Sequence, residues 1–244
     1  MYEDTLPRRR NSLGPAHPET LATAHGLATT LRMQGAYADA QAIFEEVRTL
    51  LRESVGPLHP STLTVANVLA GTLRDKGDLA AARAMFAEVR DARRAVLGED
   101  HPSTLITANE HAGALVRAGD LDEAQAAFEE VIATARARFG DDYPLVIVAS
   151  SNLGSVLRLR GDAAAACVLL EDAAERATRV LGADNPSTLN AVASHAGLLH
   201  ELGETPAARS ALTDTLARAE RVLGIDHPAT VTVRRALDTV TAAG

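Results

Sequence analysis

Four of the eight histidines fall at a fixed step, and imidazole is the side chain best suited to metal binding and proton transfer near neutral pH. His17, His59, His101 and His227 each precede a proline. Tyr143-Pro144 and Asn185-Pro186 fill the two gaps in a series that advances by 42 residues. Zinc ligands must converge within about 2.0–2.1 Å of one ion, whereas stacked helices stand about 8–10 Å apart. A ladder with one histidine per repeat is therefore poor metal geometry, and the series reads as helix-start and linker packing. Cys167 is the single cysteine, set in the run Ala163 to Leu170, and reads as a buried small hydrophobe rather than a nucleophile. The acidic pairs Glu45-Glu46 and Glu129-Glu130 recur in register as a surface feature, and Asp141-Asp142 falls in a linker. The chain contains no G-x-x-x-x-G-K-[ST], H-E-x-x-H or G-x-S-x-G pattern. No catalytic residue, metal or cofactor is assigned.

Composition narrows the partners. With 24 Lys and Arg against 32 Asp and Glu, the net charge of −8 argues against a binder of phosphate backbones. Aromatic residues make up 3% of the 244 positions, with no Trp, which disfavours stacking on bases or sugars. The longest apolar run, Ala163 to Leu170, is far below the roughly 20 residues of a spanning helix. Arg8-Arg9-Arg10 is followed by no apolar signal segment. A single cysteine suits a reducing compartment. The expectation is a soluble cytoplasmic protein with a protein or peptide partner, and neither a nucleic acid nor a membrane.

The elements that must position any site follow from the same period. Gly14, Gly56, Gly98, Gly140, Gly182 and Gly224 stand three residues before the dipeptides, and Gly35, Gly77, Gly119, Gly161 and Gly203 lie midway. Eleven of the seventeen glycines and six of the ten prolines thus obey one rule. Gly98 is expected to end a helix in the left-handed conformation, and Pro102 to open the next at its first position, where the missing N–H costs nothing. Leu105, Ala108, Ala112 and Leu115 recur at helical spacing up to Gly119. From Asp120, a second helix carries Leu121, Ala124, Phe128, Val131, Ile132 and Ala135 to Phe139. Each helix should run about 16 residues, or about 24 Å. Small residues (Ala28, Ala70, Ala112, Gly154, Ala196) face large ones, with Phe44, Phe86, Phe128, Leu170 and Leu212 filling one core position. His111 and His195 replace core leucines and read as hydrogen-bonded core histidines.

Leu27-Ala28-x-x-Leu31 and Ala40-x-x-x-Phe44 resemble the tetratricopeptide repeat. The usual repeat is about 34 residues. The longer unit and the linker Leu97-Gly98-Glu99-Asp100-His101-Pro102-Ser103-Thr104-Leu105 instead resemble the 42-residue kinesin-light-chain subtype, common in bacterial proteins. The resemblance implies an all-α fold: an α-solenoid, a right-handed superhelix of antiparallel helix pairs. The chain then divides into a lead-in at 1–14, five units at about 15–56, 57–98, 99–140, 141–182 and 183–224, and a capping helix over 228–244. The lead-in is either a degenerate cap or the remnant of a preceding helix.

The resemblance also implies a concave groove lined by first helices. Its residues stand five, eight, nine, twelve, fifteen and sixteen places after each His or its substitute. At the eighth or ninth place, where the family uses Asn against an extended peptide backbone, stand Asn67, Asn109 and Asn152. His25 and Ser151 occupy the eighth place in the first and fourth units. An Asn amide offers both donor and acceptor, so a row of them can pair with any backbone. Arg32, Arg74, Arg117 and Arg158 would read acidic side chains or a carboxylate. Three readings stand: a non-enzymatic peptide-binding scaffold, a sensor module of a larger signalling ATPase or transcription regulator, and a groove enzyme using an acid such as Glu110 or Glu201.

Overall fold

Proline fixes φ near the helical value and lacks the N–H that a first helical residue leaves unpaired, so the periodic prolines dictate where helices begin. The computed structural model describes residues 2–242, which form twelve α-helices and no strand. Helices α2 (Pro18–Met33), α4 (Pro60–Lys76), α6 (Pro102–Ala118), α8 (Pro144–Leu159), α10 (Pro186–Glu201) and α12 (Pro228–Ala242) all open on those prolines. Between them lie α3 (Tyr37–Ser54), α5 (Leu79–Leu97), α7 (Leu121–Phe139), α9 (Ala163–Leu181) and α11 (Thr205–Leu223), with α1 (Tyr2–Leu13) ahead of all. The two kinds differ in length. The first helices α2 to α10 span 16–17 residues, as expected, but the second helices α3 to α11 span 18–19.

The periodic histidine has a local job. In His17, His59, His101 and His227 the ring Nδ1 accepts the backbone N–H two residues on, at 3.1–3.3 Å. Each is a helix N-cap, satisfying one of the orphan N–H groups of the first turn. Asn185 does the same through Oδ1 at 2.8 Å. A threonine three places after the His adds a second tie. Thr62 and Thr104 donate to the carbonyls of Gly56 and Gly98, both at 2.8 Å, pinning each helix start to the end of the helix before it.

All eleven periodic glycines have positive φ, but they fall into two classes. Gly77 (98°, 1°) and Gly119 (88°, 4°) are left-handed helical. Gly98 is not: at φ 96° and ψ 163° it lies in the mirror image of the extended region, which only glycine occupies readily. This corrects the left-handed helical expectation for Gly98. An extended ψ there turns the chain out into the linker instead of curling it back over the helix end.

Packing divides the chain into two compact units, residues 1–119 and 120–244, and the division falls between the two helices of the third repeat. In the first unit each helix from α1 to α6 packs on the next, and α4 also touches α6. In the second, α7 to α12 do the same, and α10 also touches α8 and α12. Two-residue turns such as Gly77-Asp78 make consecutive helices antiparallel. Phe44 and Phe86 are fully buried in the first unit; Phe128, Leu170 and Leu212 fill the same position in the second. Burying a side chain of that size contributes about 1.5–3 kcal/mol.

One expectation needs amending. Cys167 is half-buried, not buried, packed beside Ala166, Leu170 and Leu198. The stretch before Gly14 is a helix of 12 residues in second-helix register. Arg9 on α1 donates to the Glu19 carbonyl (3.1 Å) and the Thr23 hydroxyl (2.7 Å). Arg93 on α5, two repeats on, makes the same pair of bonds to Ser103 and Thr107 at 2.9 and 2.7 Å.

Candidate functional site

Residues four apart on a helix share a face, so the twelfth and sixteenth places of each repeat stand one above the other on a first helix. The fifteenth place of the preceding repeat reaches across to them. In the first unit Arg32 on α2 holds Asp75 on α4 through Nε at 2.9 Å and Nη2 at 2.8 Å. Gly71, one turn before Asp75, leaves room for the guanidinium: a Cβ there would stand 3.5 Å from Arg32 Nη2. Arg74 approaches the other oxygen of Asp75 at 3.3 Å, and Arg117 on α6 comes within 3.8 Å. Three of the four arginines read from the sequence thus converge on one carboxylate.

Asn67 sits at the centre of a second network. Its Nδ2 donates to Glu110 Oε2 at 2.7 Å, again across one repeat. The Thr107 hydroxyl stands 2.9 Å from Asn67 Oδ1 and 3.0 Å from the Ser103 carbonyl, and donates to one of them at a time. Behind it, Arg93 is 6% exposed. It donates to Thr107 and Ser103, and its Nη2 reaches Thr64 at 3.4 Å. Burial pulls the Arg93 pKa down, against the charge of Glu110, and the group remains a cation at any working pH. Beyond these bonds Asn67 keeps one N–H and one carbonyl lone pair of its amide. Asn109 is half-buried on α6.

His25 packs against the core. Its ring stands edge-on to Phe44, with centroids 5.3 Å apart, and burial lowers its pKa below the ordinary 6.5. A lowered folded pKa means that the unfolded chain binds the extra proton first, so stability drains away as pH falls through about 6.5. Urea midpoints measured between about pH 7 and pH 5 should drop in the wild type. They should drop less in His25→Gln; an unchanged slope would place the loss on other groups. His111 is buried, with Nδ1 3.3 Å from Arg90 Nη1, as befits a hydrogen-bonded core histidine. His195 is half-buried on α10.

In the second unit Arg158 on α8 donates to Glu201 on α10 at 3.0 Å, over Gly197, where a Cβ would stand 3.3 Å from Nη1. Its Nε is buried and has no partner. Beside this pair opens a cleft of about 300 Å³ lined by Arg158, Ser194, Gly197, Glu201, Arg235 and Val240 among others. Ser151 is buried, with its carbonyl accepting from Ser155 at 3.1 Å, and half-buried Asn152 helps line a small recess beside Asn190. The roles of Asp75, Thr107, Arg93 and Arg235 were not read from the sequence. Asp75 alone carried a signal, standing at the sixteenth place.

The acidic pairs are surface features. Glu45, Glu46, Glu129 and Glu130 are exposed; Gln41 donates to Glu45 at 2.8 Å and Gln125 to Glu129 at 2.9 Å, one pair repeated. Among the described residues no cluster of three His, Cys, Asp or Glu side chains is arranged to hold a metal, and no helix is long and apolar enough to cross a membrane.

Helix hairpins repeated in register, with polar side chains along their first helices, define an α-solenoid repeat protein. A tetratricopeptide-repeat family model matches residues 1–53, 34–95, 61–137 and 145–217. The chain belongs to the tetratricopeptide repeat family. Among solved structures it is similar to a putative kinesin light chain with nearly identical repeats from Podosopora anserina. The identity there is 24%, the TM-score 0.66, and the match covers 84% of this chain and 97% of that one. BtubC (BKLC) from P. vanneervenii is 16% identical over 99% of this chain and 87% of its own, with a TM-score of 0.65. NprR in complex with its cognate peptide NprX is 15% identical over 99% of this chain and 66% of its own, with a TM-score of 0.71. At these identities the likeness is one of fold. No match is found among curated proteins.

Proposed function

We propose that the first-helix faces bind an extended segment of a partner protein, in a scaffold that performs no catalysis. The observation that carries this reading is the half-buried polar row itself. Asn67 keeps one N–H and one lone pair beyond its internal bonds, which is what a peptide backbone requires. Asn109 stands at the same eighth place, where the first and fourth repeats hold His25 and Ser151, and Asn152 stands one place on. Arg74 and Arg117 supply cations for acidic partner side chains beside Arg32 and Arg158, which already hold Asp75 and Glu201. The acids of the enzyme reading are already engaged, Glu110 with Asn67 and Glu201 with Arg158. NprR, solved with a peptide, supports the peptide reading, and its description as a quorum sensor favours a sensor module as the second reading.

Asn67→Ala combined with Asn109→Ala should abolish affinity capture of the partners retained by the wild-type chain, read by mass spectrometry. Thermal melts run alongside must show a folded variant, because losing Asn67 removes the bond to part-buried Glu110 and is expected to cost about 0.5–1.5 kcal/mol. Undiminished capture by the folded double variant sinks the reading.

A further inference from the structure

Two of the steps between repeats are built alike. Arg32 lies over Gly71 and bonds Asp75; Arg158 lies over Gly197 and bonds Glu201. In both, a carboxylate at the sixteenth place draws the preceding repeat's arginine across a glycine floor. From the second repeat to the third, the same places hold Arg74, Gly113 and Arg117. The acid has been replaced by a third cation. Arg74 accordingly turns to Asp75 on its own helix at 3.3 Å, and nothing stands within 4 Å of where a Cβ on Gly113 would lie. Arg117, one turn beyond Gly113, is 51% exposed and only 3.8 Å from Asp75.

Three guanidinium groups thus share one carboxylate, a local surplus of two positive charges in a chain whose net charge is −8. We propose that the open space above Gly113, flanked by Arg74 and Arg117, seats a phosphoryl group carried by the bound partner segment. Where the preceding repeat presents Arg32 or Arg158, this place supplies the facing oxyanion, Asp75 or Glu201, whereas Val116 is followed by Leu159. The third repeat lacks its own, and the partner supplies it. A monocarboxylate would leave one of the two surplus charges unmatched, whereas a phosphoryl group carries about −1.5 to −2 at neutral pH and offers oxygens to more than one guanidinium fork. The inference rests on the groove reading above and adds to it the chemistry of one subsite.

The test uses the full chain with phenyl phosphate and benzoate as probes, following the arginine Nε–Hε resonances by NMR. Phenyl phosphate should shift Arg74 and Arg117 saturably and bind at least tenfold more tightly than benzoate. Arg117→Asp gives the third repeat the carboxylate that Asp75 and Glu201 provide elsewhere. It should close Arg74 over Gly113 and abolish phenyl phosphate binding while the melting temperature holds or rises. Equal affinity for the two probes, shifts centred on Arg158 or Arg235, or binding that survives Arg117→Asp each overturn the proposal. The groove reading is judged separately by the asparagine variants. Capture lost there, with no preference for phenyl phosphate here, removes this subsite and leaves the groove standing.

Discussion

Phe86→Ala should destabilise the protein by about 3–5 kcal/mol, the loss typical of emptying a fully buried aromatic site. Phe86 has no exposed surface. Its position is framed by Ala82 one turn before it, in the same buried cluster as Leu69, Ala70 and Leu73 of α4. The Arg74 guanidinium lies 5.9 Å from its ring centroid, a cation–π contact of about 0.5–1 kcal/mol. Against a total stability of about 5–15 kcal/mol, the loss of this one side chain is a large share. The repeats supply their own control. The fourth and fifth carry Leu170 and Leu212 at the same position, both fully buried. Phe86→Leu should therefore cost less than about 1.5–2 kcal/mol, since it keeps most of the volume and forfeits chiefly the Arg74 contact. Urea denaturation of the three proteins reads the difference. If Leu proved as damaging as Ala, the ring's polar face would matter more than the space it fills.

The second large effect concerns backbone. Gly119→Asn should be tolerated at a few tenths of a kcal/mol, because Asn adopts left-handed helical geometry with little strain and Gly119 has φ 88° and ψ 4°. Gly98→Asn should cost about 1–3 kcal/mol, because at φ 96° and ψ 163° a side chain has no comfortable conformation. Space does not explain the contrast. A Cβ on Gly98 would have Asp100 Oδ1 as its nearest neighbour at 3.5 Å, and one on Gly119 would meet nothing within 4 Å. Displacement of Gly98 would also move the carbonyl that accepts from Thr104, loosening the start of α6. Melting temperatures of the two variants should therefore separate clearly, with Gly98→Asn the lower.

The architecture was legible because each repeat punctuates itself. Proline fixes φ and glycine alone takes positive φ without strain, whatever the packing, so Pro102 and Gly119 bound α6 in the sequence as they do in the structure. What the backbone does with ψ was not legible, and Gly98 departed from expectation for that reason. The histidines were placed at helix starts, but their role as N-caps was not read, since His is not among the residues preferred there. At the site, the arginines could be named, yet not their partners. Arg32 meets Asp75 and Asn67 meets Glu110 because neighbouring repeats engage with a one-place offset, a property of how helices pack and not of any single repeat. Arg93 was invisible for a related reason. The adjoining repeats hold Leu51 and Ala135 at the same place, and Arg9, two repeats back, shares it; both arginines donate to a backbone carbonyl and a threonine hydroxyl of the first helix that follows.

That one-place offset gives the array a direction. In the core the first-unit repeats are alike in outline, since Phe44 and Phe86 are both fully buried one turn after the buried Ala40 and Ala82. Across the groove they are not. The second repeat receives with one residue and gives with another: Arg32 of the repeat before it finds Asp75, and Asn67 finds Glu110 in the repeat after it. Exchange the second and third repeats, and Arg32 would face Arg117 while Asn67 lost Glu110. The hydrophobic positions spell the same word each time; the polar ones number the pages.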